Sequence, residues 1–296
     1  MYHYFSRANL RRYTEQKPLP MELSPTEQLA YSTTRIECER DSGKTSTGTG
    51  FFFRFAETDD QHIPAIVTNK HVVDGAVRGR FHFTLQNEDG GPKLRSHVSI
   101  DLDNFSDGWV EHPDDDVDLC VLPIGPLLHQ AEEQNKRFFF RSIGRELIPS
   151  DDEMEELTMM EEIVMIGYPN GIWDPVNNQP IFRKGITATH PAKDYNGKQE
   201  FMIDAACFPG SSGSPVLLLN IGSYSTPEGI QLGSSRIKLL GTLYAGPQHT
   251  ATGEVEIVEV PTDTKAIAIS RIPNNLGLII KSRRLLGFDS ILESLG

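Results

Sequence analysis

The sequence predicts an all-β fold, and three observations carry that prediction. Short runs rich in Val, Ile, Phe and Thr recur along the chain, and Gly, Pro, Asn and Asp separate them. The chain has 296 residues, enough for one large β domain or two small ones whose core needs no metal or disulfide. Residues 1–30 are polar and contain Pro18, Pro20 and Pro25, so they read as an N-terminal extension before the first packed strand. Strands are then expected at 33–38, 50–55, 63–68, 80–85 and 119–124 in a first half. A second set is expected at 163–168, 185–189, 200–204, 215–220, 238–244 and 266–270. Between the halves, 145–162 is acidic and turn-rich and reads as a crossover. The stretch 276–295 has Leu, Ile and Phe at helix-compatible spacing, and a C-terminal helix is expected over about 281–296.

Composition narrows the function. Hydrophobic residues make up 38% and charged residues 23%, as in ordinary globular proteins, and the net charge is −13. Nucleic-acid binding draws on clustered Lys and Arg, so no nucleic-acid partner is expected. No apolar run reaches the eighteen or so residues of a membrane span, and the first thirty residues lack the apolar core of a secretion signal. Cys38, Cys120 and Cys207 cannot all pair with one another, no CxxC suggests zinc, and each sits in an apolar strand-like context. Unpaired thiols favour a reducing compartment, hence a cytoplasmic location.

Three local patterns carry chemistry. Phe208-Pro209-Gly210-Ser211-Ser212-Gly213-Ser214-Pro215 precedes an apolar strand. A serine hydroxyl needs a base to become a nucleophile, and the oxyanion formed on attack needs preorganised donors. A glycine-bracketed turn can present the Ser212 hydroxyl and the Gly210 and Ser212 N–H groups to one point. A Gly/Ser-rich surface hairpin is the bland alternative. Upstream, Ile66-Val67-Thr68-Asn69-Lys70-His71 ends an apolar strand on a histidine, a place where an imidazole can titrate near neutrality. Asp118 heads the run Leu119-Cys120-Val121-Leu122 and can orient that ring. Asp116 shares its strand face and competes for the role.

The order His, Asp, Ser, with the motifs TNKHVV, DLCVLPI and IDAACFPGSSGSPVLLLN, resembles the trypsin/chymotrypsin-like serine proteases, the HtrA/Deg branch above all. The resemblance covers roughly residues 31–280. It implies two six-stranded antiparallel β-barrels, a first over about 31–150 and a second over about 160–280, with the active site between them. His71, Asp118 and Ser212 would form the triad, and Gly210 and Ser212 the oxyanion hole. Thr242, Tyr244, Ala245 and Gly246 would line the cleft and pair with substrate backbone. Ala205, Ala206, Cys207 and Tyr244 would wall the primary pocket. The substrate would be a protein or peptide, with no cofactor and no metal, and a regulatory protein partner is compatible with this reading.

Departures from the family matter. Ser211 stands where digestive members carry an aspartate that captures a new N-terminus, so activation of that kind is not expected. Ala206 puts no acid in place for a Lys or Arg side chain, and a small or medium apolar residue before the scissile bond is expected. Too little chain follows Tyr244 for a PDZ domain beside a last strand and helix. The alternative from another class is a silent protease fold used for binding or scaffolding, against which all three triad positions are filled.

Overall fold

The computed structural model describes residues 13–14, 23–59, 61–252, 269–273 and 275–295, with backbone alone for 14, 248–252 and 269–273. In the first half the long strands are β1 (Thr33–Arg40), β2 (Thr45–Phe55), β3 (Gln61–Thr68), β4 (Ala76–Gln86), β5 (Pro92–Asp103) and β6 (Cys120–Pro123). They lie in the order β5–β4–β1–β2–β3–β6 within a nine-stranded antiparallel sheet. Val110–Glu111 joins it on β6, Tyr13–Thr14 on β3 and Phe138–Phe139 on β4. In the second half β7 (Glu162–Gly167), β8 (Ile181–Thr187), β9 (Glu200–Asp204), β10 (Pro215–Asn220), β11 (Arg236–Ala245) and β12 (Leu276–Lys281) form a closed barrel in the order β7–β8–β9–β12–β11–β10. The expected pair of six-stranded barrels is therefore seen as one closed six-stranded barrel and one larger sheet.

Side-chain alternation explains how the halves join. Strand neighbours point to opposite faces. Ile36, Phe52, Ile66, Phe81, Ile100, Cys120 and Leu122 meet in one core, to which the two flanking strands β5 and β6 both contribute, so the sheet curls around it. Phe51, Phe53, Phe55, Ala65, Val67, Leu119 and Val121 face the other way and pack with Ile166, Leu217, Leu239 and Ile280 of the barrel. Strands β2, β3 and β6 are thus buried on both faces, which is why they read as unbroken apolar runs. A third cluster, with Ile163, Met165, Phe201, Ile203, Leu218, Leu240 and Ile279, fills the barrel itself.

The helices are α1 (Pro25–Ala30), α2 (Lys70–Val73), α3 (Gly125–Glu133), α4 (Asp151–Glu155) and α5 (Asp289–Leu295). Ser24 and Ser150 each start a helix with a capping box, closed by Glu27 and Glu153. The acidic crossover therefore contains a helical turn, and α1 falls within the expected N-terminal extension, with Leu29 buried in the core shared by the two halves. The helix-like spacing of 276–295 divides into three. Leu276–Lys281 is the barrel strand β12, Ser282–Phe288 is a 3-10 turn, and only then does α5 begin. Three of the five residues of the strand expected at 266–270 lie outside the described residues. Among the described residues no helix is long and apolar enough to cross a membrane.

Candidate active site

Strand β3 ends at Thr68, Asn69 is extended, and α2 follows as a single helical turn carrying His71. Thr68 pairs with Cys120 across β3 and β6. Continued past the strand ends, that antiparallel register brings Asp118 beside His71. The contact is made through both carboxylate oxygens. His71 Nδ1 lies 2.5 Å from Asp118 Oδ2, and the His71 backbone N–H donates to Asp118 Oδ1 at 3.2 Å. Asn69, fully buried, donates from Nδ2 to the Asp118 carbonyl at 2.7 Å, which fixes the acid's backbone. The His71 side chain is about half exposed at 48% and the Asp118 side chain less so at 25%, so the ring has one sheltered and one open edge. Asp116 is exposed and bonds through its own N–H to Asp114 Oδ1.

The serine turn is held from behind by Thr49 on β2. The Thr49 N–H donates to the Ser212 carbonyl at 2.9 Å, and its hydroxyl donates to the Gly210 carbonyl at 2.9 Å while accepting from the Tyr168 N–H at 3.1 Å. The Thr68 hydroxyl donates to the Thr49 carbonyl at 2.7 Å. Gly213 takes a φ of 86°, and a Cβ there would stand 1.9 Å from the Thr49 carbonyl oxygen and 2.5 Å from Thr68 Oγ1. Only glycine fits, for conformation and for space alike. The backbone of Ser212 is in this way pinned to the strand end that leads to His71. No hydrogen bond joins the His71 ring to the Ser212 hydroxyl among the described residues.

Gly210 has a φ of 85°. The preceding carbonyl, of Pro209, accepts from the Asn170 N–H at 2.5 Å. In a trans peptide the N–H points opposite to the C=O, so this bond turns the Gly210 N–H away from Asn170. Neither the Gly210 N–H nor the Ser212 N–H has an acceptor among the described residues, whereas the intervening Ser211 N–H bonds to Phe208 and the next, Gly213, to Leu243. Two free amides on either side of a bonded one in a serine turn are unusual, because backbone donors are normally satisfied.

Around this turn, Ala205 is buried and Ala206 and Cys207 are partly so. Burial pushes the Cys207 thiol up to about 11, so it is not a thiolate nucleophile. Gly277 on β12 faces it: a Cβ there would lie 2.7 Å from both Cys207 Sγ and Leu243 Cδ1. Thr242 is buried and paired on both flanks, with Pro215 and Ile280, and Leu243 is bonded to Gly213 and Ser214. Beyond them the β10 side of Tyr244, Ala245 and Gly246 carries no strand partner among the described residues. The Tyr244 hydroxyl donates to Glu200 at 2.9 Å. Burial raises its pKa, helped by Glu200 and by the nearby Asp118.

Sequence reasoning missed Thr49, Asn69 and Asn170 as supporting residues. The signal for Thr49 was its place between two glycines, Gly48 and Gly50, whose missing side chains make room for Val72 and Ile66.

The trypsin-like peptidase domain family matches residues 48–223, more than half of the chain and the span that holds His71, Asp118 and Ser212. The chain belongs to this family. Solved structures similar to the trypsin-like domain include the HtrA-type protease AlgW with tripeptide, at 16% identity and a TM-score of 0.46, covering 90% of this chain and 61% of that one. Deg5 is similar at 16% identity and a TM-score of 0.41, covering 74% of this chain and 81% of that one. The Rv3671c protease from M. tuberculosis, active form, is similar at 15% identity and a TM-score of 0.41, covering 97% and 92%. The chain thus spans somewhat under two thirds of the length of AlgW. No curated protein matches it by sequence.

Proposed function

We propose that the protein is a serine endopeptidase that works through His71, Asp118 and Ser212. The observation that carries the reading is the pair of free amides, Gly210 and Ser212, on a turn pinned beside the His71–Asp118 pair. Asp118 holds the Nδ1 proton and leaves Nε2 as the base. On attack, Nε2 takes the Ser212 proton and Ser212 Oγ bonds to the substrate carbonyl carbon. The two free N–H groups receive the oxyanion, where their dipoles need no reorganisation. The imidazolium then returns its proton to the leaving amine, and water, activated by the same ring, releases the acyl group. The ring-to-hydroxyl bond forms as substrate arrives, since catalytic hydrogen bonds often tighten only in the complex.

Peptide would enter as an added strand on the open side of Tyr244–Gly246, where main-chain bonds supply affinity. The curled sheet is taken as the counterpart of a first barrel, contributing base and acid, while the closed barrel contributes the nucleophile. Cys38, Cys120 and Cys207 are all unpaired, which supports a reducing, cytoplasmic setting.

A fluorophosphonate probe tests the proposal. Labelling at Ser212, lost in Ser212→Ala together with all peptide hydrolysis while the circular dichroism spectrum is unchanged, is expected. A folded protein that neither labels nor cleaves a casein or proteome digest is a binding module instead.

A further inference from the structure

Arg183 lies in the middle of β8, and its guanidinium sits behind the turn that leads to the nucleophile. Its Nη1 donates to the Ala206 carbonyl, six residues before Ser212. Its other two nitrogens, Nε and Nη2, are buried and have no hydrogen-bond partner among the described residues. Among the described residues no carboxylate acts on the group; burial lowers its pKa, and the neighbour that counters this is the Cys207 thiol. Arginine stays protonated even so. A buried cation without a counter-charge is strongly unfavourable, so an anion that reached these two N–H groups would be held by charge-assisted bonds.

The free edge has a particular shape. Nε–H and the adjacent Nη2–H point the same way in parallel, the fork that grips a carboxylate in bidentate fashion. The residues beside the guanidinium, Ala206 through its carbonyl on Nη1 and Cys207, have small side chains, and across from Cys207 stands Gly277 with none. The surrounding wall therefore offers a substrate side chain apolar surface, and Arg183 is the charged group behind it.

We propose that Arg183 determines specificity in the primary pocket and that the protein cleaves after an acidic residue, Glu or Asp. The inference rests on the serine-peptidase reading and deepens it. It also replaces the apolar preference expected from Ala206. That alanine removes the acid which would select Lys or Arg, while a strand distant in sequence brings in the opposite charge.

The test is a set of peptides that differ only in the residue before the scissile bond, Glu, Gln, Ala or Leu, with wild type, Arg183→Gln and Arg183→Lys. A charge-assisted hydrogen bond contributes about 1.5–3 kcal/mol, so wild-type kcat/KM for Glu should exceed that for Gln and Ala by roughly 10- to 100-fold. Arg183→Gln should collapse the Glu-to-Ala ratio, and Arg183→Lys should keep part of it. Fluorophosphonate labelling of each variant at Ser212 reports that its active site is assembled. A labelled wild type that prefers Ala or Leu, or cleaves Gln and Glu peptides alike, overturns the inference and leaves the peptidase standing. So does an unchanged ratio in labelled Arg183→Gln. A wild type that neither labels nor cleaves overturns the peptidase reading, and this one with it.

Discussion

Asp118 meets His71 with both carboxylate oxygens, one on the ring and one on the backbone, while Asp116 turns into its own acidic loop. The two acids stand two residues apart on one strand face, so sequence alone left both open for the orienting role. The register of β6 on β3 favours Asp118. Asp118→Asn should lower kcat by about 10⁴-fold, the magnitude known for the same change in the trypsin triad, because an amide stabilises the wrong tautomer and no imidazolium. Asp116→Asn should leave kcat close to wild type. Steady-state kinetics on one peptide decides between them, and a larger effect at Asp116 would reverse the assignment. At this scale Ser212 and His71 were legible as candidates, because each stands at a break in an apolar pattern. Thr49 and Arg183 were not, since their roles consist of contacts with residues 161 and 23 positions away.

Among the elements, the C-terminal segment shows how one pattern hides three structures. Leu285, Phe288 and Leu292 are fully buried on the core that joins the halves, with Phe288 edge-on to Phe55 at 5.8 Å and to His112 at 5.2 Å. Phe288→Ala should cost about 3–5 kcal/mol of stability, the usual range for emptying a buried aromatic site. Urea denaturation monitored by fluorescence measures it, and a loss below about 1 kcal/mol would mean that the segment does not contribute to the core. The preceding strand, β12, is not singled out by the sequence, because its apolar residues fit both periods over so short a run. Strand β5 went unpredicted for a different reason: most of its side chains are exposed or half-buried, so it lacks the apolar signature of its neighbours.

Across the whole molecule, His82 ties distant parts together. Its Nε2 bonds to Glu37 on β1 at 3.0 Å, its Nδ1 to Ser99 on β5 at 3.2 Å, and Trp173 from the second half packs on its ring at 4.6 Å. Burial pushes its pKa below the ordinary 6.5, outweighing the Glu37 carboxylate that pulls it up, and burial likewise lowers His112. Between the folded and unfolded pKa values the unfolded chain binds more protons. Stability is therefore full above 6.5 and is lost as pH falls from there through the lower folded values. Calorimetry from about pH 7.5 down to about pH 5.5 should show a falling midpoint, with a shallower fall in His82→Gln. An equal slope in the two proteins would remove His82 from this account.

By itself the sequence determined the β class, the positions of His71 and Ser212, and the crossover between halves. Each of these is written in local periodicity, in turn residues, or in a short motif whose geometry the chain makes within a few residues. Tertiary structure alone decided which half closes into a barrel, which flank of β11 is open, how Thr49 and Asn170 leave two amides free, and where the Arg183 charge comes to rest. Those are properties of strand register and of contacts between elements. No window of neighbouring residues encodes them, because the partners become neighbours only after the sheet has curled and the barrel has closed.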